Sequence, residues 1–285
     1  MIPNPREFSQ EEKIISIHNL KYTYEGGVEA LRGLNLEIRT GEYLAIVGGN
    51  GSGKSTLAKN LNGLLKPTSG TVAVNGRLTA ELKVAELAKV VGYAFQNPDH
   101  QLFCSTVEEE VQFGPRNLGY QAEEVLRKSE RAIDAMNLGQ QKSQAPLSLR
   151  LGERRRVSIA SVIAMDPQVM ILDEPTTGLD AGESRELMAR LRRLNEEGKT
   201  IILITHDMKL VAENAKRVVV LANGRMILDS DFRGAFSDLA ILSQGNLEPP
   251  PITKLAHRLA EFGIPQDVVS PAELVRQLPK PRGGR

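Results

Sequence analysis

Gly48-Gly49-Asn50-Gly51-Ser52-Gly53-Lys54-Ser55 fits the pattern G-x-x-x-x-G-K-[ST] at every fixed position. Glycines at 48, 51 and 53 let the backbone curl until successive N–H groups face one point. Lys54 adds a full positive charge there, and Ser55 offers a hydroxyl to Mg2+. The flanks agree with this reading. The apolar run from Tyr43 to Val47 predicts a buried strand, and Thr56 to Leu65 predicts a helix whose N-terminal dipole faces bound phosphates. Residues Gly48 to Thr56, including Gly49, Asn50 and Ser52, are therefore expected to hold the phosphates of a nucleotide. The bland alternative is a glycine-rich turn followed by a coincidental Lys-Ser, and it leaves the strand before and the helix after unexplained.

Working outward, 285 residues suit one medium domain with an appendage, and 41% apolar content suffices for a core. Lys+Arg 36 against Asp+Glu 35 leaves a net charge of +1, with no Trp and 4% aromatics, so neither a basic footprint nor a base-stacking surface for nucleic acid is expected. The longest apolar runs, such as Thr200 to Ile204 and Val218 to Ala222, fall far short of the ~18–20 residues that span a bilayer. Residues 1–13 are polar with two prolines and read as a flexible N-terminus, not a signal peptide. Cys104 is the only cysteine, so no internal disulfide is possible. The composition predicts a cytosolic, soluble chain whose membrane role, if any, comes through partner chains.

Short strands are expected at Ile14 to Ile17, Leu34 to Ile38, Thr71 to Val74 and Val90 to Phe95, with a short helix from Ala80 to Ala88. About residues 97–160 change character: Thr106-Val-Glu-Glu109 is a capping box, and Ala122 to Met136 has helical spacing. From 168 the strand–helix rhythm returns. Val169 to Leu172 is a strand, Asp180-Ala-Gly-Glu183 caps a helix to Glu197, Thr200 to Thr205 is a strand, and Val218 to Leu228 is a hairpin. After Pro249-Pro250-Pro251, the residues Ile252, Leu255, Ala256, Leu259 and Phe262 share a helical face. Ser270-Pro271-Ala-Glu273 opens a last helix with Leu274, Val275 and Leu278 expected inward. The organisation expected is a main domain over 14–230 and a small helical C-terminal domain over 231–285, with 280–285 frayed.

Val169-Met-Ile-Leu-Asp173-Glu174 is an apolar strand ending in two acids. Its tip puts Asp173 beside the phosphate loop, where it can hold Mg2+ through water, and Glu174 can polarise the water that attacks the γ-phosphate. The alternative is a strand ending in a solvated acidic turn.

Asp173-Glu174-Pro-Thr-Thr-Gly-Leu-Asp180 and Ile204-Thr205-His206-Asp207 resemble the ATP-binding cassette (ABC) ATPases. The resemblance implies a phosphate-loop α/β fold: a mostly parallel sheet, an antiparallel β subdomain, a helical subdomain and a head-to-tail dimer around two MgATP. It also implies roles for single residues. Tyr24 matches the adenine-stacking aromatic, Gln96 the glutamine that reaches Mg2+ and the attacking water, Asp180 the aspartate crossing the dimer interface, and His206 the histidine on the γ-phosphate. A tyrosine at a strand end or a lone histidine is more often structural; the positions, not the residue types, carry these two.

Tyr93-Ala-Phe-Gln96-Asn-Pro-Asp-His-Gln101-Leu-Phe, then Thr106-Val-Glu-Glu-Glu-Val-Gln-Phe-Gly114-Pro, is similar to the ATPase subunits of energy-coupling factor (ECF) transporters, including the cobalt- and nickel-type systems. That likeness implies a peripheral subunit on the cytoplasmic face of the membrane, with a transmembrane scaffold, a small substrate-binding membrane subunit and a second ATPase as partners. It also implies that the C-terminal domain helps pair the ATPases. The solute stays open between a vitamin, Ni2+ and Co2+.

The chain departs from the family at its signature, Leu-Ser-Gly-Gly-Gln. Here Leu149-Arg150-Leu151-Gly152-Glu153 puts Arg150 in place of the serine and Leu151 in place of the first glycine. Arg150, Gly152 and Glu153, with Asp180, would face ATP held by a partner chain. A leucine at the first glycine is expected to obstruct close approach of backbone to phosphate, and one lost donor can cost roughly 10²–10³ in rate. A heterodimer with a paralogous ATPase of intact signature is favoured over self-pairing. A regulatory nucleotide-binding subunit and the ATPase of a binding-protein-dependent importer are the alternatives.

Overall fold

The computed structural model describes residues 12–278. Two sheets organise it. An antiparallel sheet contains β1 (Lys13–Thr23), β2 (Glu29–Arg39), β4 (Ser69–Val74) and β5 (Arg77–Leu78) in the order β2-β1-β4-β5. The second contains β3 (Tyr43–Val47), β6 (Val91–Ala94), β7 (Val169–Asp173), β8 (Thr200–Thr205), β9 (Arg217–Ala222) and β10 (Arg225–Asp231) in the order β10-β9-β3-β8-β7-β6. All its pairings are parallel except that of β10 with β9.

The parallel strands are buried on both faces, which is why they read as unbroken apolar runs. Alternation then divides them between two cores. Tyr43, Ala45, Val47, Met170, Leu172, Ile201 and Leu203 face one core with the larger helices. Leu44, Ile46, Val169, Ile171, Ile202 and Ile204 face the other, which is closed by Ile15, Ile17, Leu31, Leu36 and Ile38 of the antiparallel sheet.

Helices α1 (Lys54–Leu61) and α2 (Val84–Leu87) lie between the early strands. Helices α3 (Val107–Asn117), α4 (Ala122–Ala135) and α5 (Leu151–Ala164) form the helical stretch between β6 and β7. Helices α6 (Ala181–Glu196) and α7 (Met208–Asn214) follow β7 and β8. Thr106 caps α3 by accepting from Glu109 N–H at 3.1 Å. The neighbouring Glu110 is buried and accepts from the Phe103 and Cys104 amides, each at 2.8 Å, fixing the loop ahead of the helix.

Beyond β10 lie α8 (Phe232–Ser237), α9 (Leu239–Gln244), α10 (Pro251–Arg258) and α11 (Pro271–Gln277). The first two were not foreseen. Ala235, Phe236, Leu242 and Leu247 join the main core, whereas Ala256, Ile264, Val268 and Leu274 form a small cluster of their own. Arg233 of α8 ties that cluster to the body through Asp267 at 3.0 Å and Glu273 at 2.9 Å. Val275 and Leu278 point outward, contrary to expectation, because the seven-residue α11 presents only Leu274 to α10. Lys13 belongs to β1, while the rest of the expected flexible N-terminus, but for Glu12, and the frayed end fall outside the described residues.

Candidate functional site

The phosphate loop runs from the end of β3 to the start of α1. At Gly48 a Cβ would lie 2.3 Å from the Leu221 carbonyl oxygen, and at Gly53, with φ +106°, 2.8 Å from that of Ala30. Neither place admits a side chain. Gly53 caps α1 without a side-chain acceptor, and no acid stands in the first turn, so the helix N-terminus keeps its positive end for an anion. The Lys54 ammonium lies within the loop, 2.8 Å from the Gly48 carbonyl and 2.9 Å from that of Gly49. Burial lowers the Lys54 pKa, and the nearby Glu174 and Asp173 charges oppose that shift.

The loop opens into a cleft of about 620 Å³ lined by Tyr24, residues Asn50 to Thr56, Gln96, Asp173 and Glu174. Thus the expected loop, metal and water-handling residues converge on one cavity. Tyr24 stands at its rim with its hydroxyl 3.0 Å from Thr56 Oγ1 and its ring edge-on to Tyr22, centroids 4.9 Å apart. Gly49 is turned the other way: its N–H donates to the Gly245 carbonyl at 2.7 Å, and a Cβ there would lie 2.8 Å from Asn246 Cβ.

Asp173 sits buried at the tip of β7. Its Oδ2 accepts from Ser55 Oγ and from the Tyr93 hydroxyl, both at 2.8 Å. Tyr93 is held fully protonated because burial, then the Asp173 charge, push its pKa well above the usual phenol value. The oxygens of Ser55, Asp173 and Gln96 are hard donors of the kind Mg2+ prefers, with phosphates completing the shell. Among the described residues no group of three or more His, Cys, Asp or Glu could hold a metal by itself.

Glu174 adopts φ +47°, a left-handed backbone uncommon outside glycine and costly by about 1–3 kcal/mol. Its carboxylate is held at both oxygens. Thr205 Oγ1 donates to Oε2 at 3.1 Å, and His206 Nδ1 lies 2.6 Å from Oε1. The strained turn aims a buried carboxylate into the cleft, while the largely exposed His206 touches that carboxylate from outside the cleft lining. Tyr93 and Thr205 were not singled out from sequence. Both come into play only because parallel neighbours align, Tyr93 with Ile171 and Thr205 with Val47.

Arg150, Gly152, Glu153 and Asp180 are grouped elsewhere, where α5 and α6 begin. Asp180 Oδ1 accepts from the Gly182 and Glu183 amides at 2.7 and 2.8 Å, and Glu183 answers to Asp180 N–H at 3.2 Å, completing the expected capping box. Arg150 precedes α5 and donates its N–H to Glu153 at 3.1 Å. Glu183 also lies against Gly152, since a Cβ there would be 2.5 Å from its Oε1. The Leu151 side chain packs on its own chain, since a Cβ on Gly178 would be 2.5 Å from Leu151 Cδ2.

The Asn97-Pro-Asp-x-Gln101 stretch has a clear structural use. Asn97 caps a single 3-10 turn, Asp99 pairs with Arg154 at 3.1 Å, and Gln101 Nε2 donates to the Ser158 carbonyl and Ser161 Oγ, both at 2.9 Å. It fastens the segment carrying Gln96 to α5.

A parallel sheet with a phosphate loop after its first strand, a strand-tip Asp-Glu pair and a histidine beyond the next strand define a phosphate-loop nucleotide-binding fold with its site at the sheet's carboxyl edge. A family model described as ABC transporter matches residues 31–177. The energy-coupling factor transporter ATP-binding protein EcfA of Methanoculleus marisnigri is 41% identical over 256 residues, covering 90% of this chain and 92% of that protein. A provisionally named ABC transporter ATP-binding protein of Caldanaerobacter subterraneus is 46% identical over 256 residues, yet the chain spans only 45% of its length. Among solved structures, cbiO1 from Clostridium perfringens, described as part of the ABC transporter complex cbiONQ, superposes with a TM-score of 0.74 at 36% identity, covering 89% of this chain and 98% of that one. The chain belongs to the ABC transporter family of ATP-binding proteins, and it is similar to energy-coupling factor transporter ATP-binding proteins.

Proposed function

We propose that this chain hydrolyses MgATP to drive a membrane importer of the energy-coupling factor type. The observation that carries the chemistry is the Glu174 carboxylate, fixed by Thr205 and His206 at the mouth of the phosphate-loop cleft. That a relative of full-length coverage is named an ECF transporter ATP-binding protein supports the system.

Lys54 and the loop amides would hold the phosphates, and Ser55, Asp173 and Gln96 would hold Mg2+, which supplies charge neutralisation between phosphate oxygens when bound. Glu174 orients the attacking water and polarises it by accepting a hydrogen bond from it. His206, in contact with that carboxylate, reaches the γ-phosphate side of the cleft. Tyr24 offers a ring face to the adenine. The protein's share of the work is positioning and electrostatic stabilisation, with no covalent intermediate.

Among the described residues no helix is long and apolar enough to cross a membrane. A peripheral place on the cytoplasmic face, against a transmembrane scaffold and a small solute-binding membrane subunit, fits the reading. We further favour pairing with a paralogous ATPase. Arg150 brings no serine hydroxyl, and Glu153 and Glu183 bring negative charge to the α5 N-terminus where a partner's γ-phosphate would dock. Leu255, Phe262, Val275 and Leu278 of the C-terminal part are exposed apolar residues of the kind a pairing surface uses. The same damaged signature favours a second reading, a mainly regulatory subunit that binds ATP while its partner catalyses.

Affinity purification of this chain from native membranes, followed by mass spectrometry, tests the assignment. Recovery of a second cassette ATPase, a multi-helix scaffold and a small membrane protein is the expected result. Recovery of a two-permease core with a soluble binding protein would replace it with a conventional importer.

A further inference from the structure

Arg155 lies one turn into α5, four residues after Leu151, and is 3% exposed. Among the described residues no carboxylate pairs with it. One terminal nitrogen donates to the Phe95 carbonyl at 3.0 Å and to the Gln96 carbonyl, and the other lies 3.5 Å from the Thr177 carbonyl. Its Nε is buried and finds no acceptor among the described residues. Burial lowers the Arg155 pKa, while the charges of Asp173, Glu174 and Asp99 act in the opposite sense.

A buried guanidinium paired only with carbonyls is a poor device for stability, because desolvating a charge costs several kcal/mol that neutral acceptors offset incompletely. An apolar side chain would pack there at lower cost. What the guanidinium uniquely supplies is a rigid fork holding several acceptors at once. The acceptors it holds belong to the two segments that carry Gln96 and Glu174. Gln96 is a cleft residue, and Thr177 closes the turn that begins at Glu174, its N–H donating to the Glu174 carbonyl at 3.2 Å. On the same helix face Leu151 packs on Gly178, so α5 grips that turn at two adjacent residues.

We propose that Arg155 is a positioning residue for hydrolysis: it locks Gln96 and the Glu174–Gly178 turn to helix α5, so that a shift of α5 is delivered to the attacking-water site of the same chain. The inference rests on the ATPase reading above. Its consequence is that occupancy of a partner's site, felt at the N-terminus of α5, is transmitted through one side chain to Gln96 and Glu174.

The test is a set of variants in the full-length protein, purified with its native partners: Arg155→Met, Arg155→Lys, Gln96→Ala and the double Arg155→Met/Gln96→Ala. Steady-state turnover is read beside the Kd for a fluorescent ATP analogue. Arg155→Met should lower kcat about 10²-fold, as misplacement of reacting groups by an ångström does, with Kd changed less than about threefold. Arg155→Lys, which keeps the charge but not the fork, should recover part of that loss. The double variant should lose less than the product of the two single losses, because Arg155 acts in part through Gln96 and in part through the Glu174 turn. Additive losses, an unchanged kcat, or equal loss in Lys and Met variants accompanied by a matching fall in Tm would each overturn the proposal. If Arg155→Met does not fold, Arg155→Lys decides: wild-type kcat overturns the proposal and a lowered kcat at unchanged Kd supports it. Wild-type protein that binds ATP but shows no turnover would remove the ATPase reading itself, a result distinct from any of these.

Discussion

Two helix N-termini in this chain would face phosphate on the proposed reading, and they are not equally fit for it. The first, at α1, follows a glycine loop that matches its pattern throughout, carries no acid in its first turn and has Lys54 at its mouth. The second, at α5, begins with Arg150, has Glu153 in its first turn hydrogen-bonded back to the Arg150 amide, and has Glu183 pressed against Gly152. The dipole is the same at both ends; the side chains decide what it can hold. On the proposed reading one chain would offer a complete ATP cradle and a poor lid, and the two sites of a heterodimer would differ according to whose lid closes them.

The largest expected effect sharpens the first half of that contrast. Glu174→Gln should bind ATP with near-native affinity and lose at least about 10²–10³ of hydrolysis, since it removes a preorganised charge at the reacting centre. Single-turnover release of phosphate from pre-bound ATP would measure it, and near-normal release would show that the cradle does not depend on this carboxylate.

An intermediate effect probes the second half. Because Leu151 packs on Gly178 and not outward, Arg150→Ser alone should raise turnover of the assembled complex several-fold, up to about the 10²-fold scale of one donor. Leu151→Gly should add little and should lower Tm through the space it leaves. A rate gain that requires Leu151→Gly would reverse this assignment and restore the obstruction that the sequence suggests.

The smallest effect lies inside the cradle. Tyr93→Phe removes one hydrogen bond to Asp173, worth about 1.5–3 kcal/mol when the acceptor is charged. It should raise the Mg2+ concentration for half-maximal turnover roughly tenfold or more while leaving ATP affinity in the absence of metal unchanged. Equal changes in both would mean that Tyr93 serves the core and not the metal carboxylate.

The parts of this molecule that were legible in sequence are those whose cause is local. The phosphate loop, the strand-tip acids and the parallel strands announce themselves because loop chemistry needs glycine and two-sided burial needs continuous apolar runs. Thr106, Asp180 and Ser270 were read correctly as caps for the same reason. The β1–β2 hairpin was only half visible, as register shifts near Leu20 and a left-handed Asn19 interrupt its alternation. The helix expected from Ala80 shrinks to the four residues of α2. Tyr93, Thr205 and Arg155 were invisible as site residues because their roles depend on which strand or segment lies alongside, a fact that no window of neighbours contains. The seat of Leu151 was hidden for the same reason: a glycine 27 positions away makes room for it, at Gly178.

The hydrogen bond from the Gly49 amide to the Gly245 carbonyl has a practical side for anyone cutting this chain down. Trimming it at residue 231 to obtain a minimal cassette would strip the phosphate loop of a partner and open the space now filled by Asn246. Nucleotide affinities measured on such a fragment would then describe a loosened loop, and the boundary for a faithful fragment belongs after Leu247, whose side chain is seated in the main core.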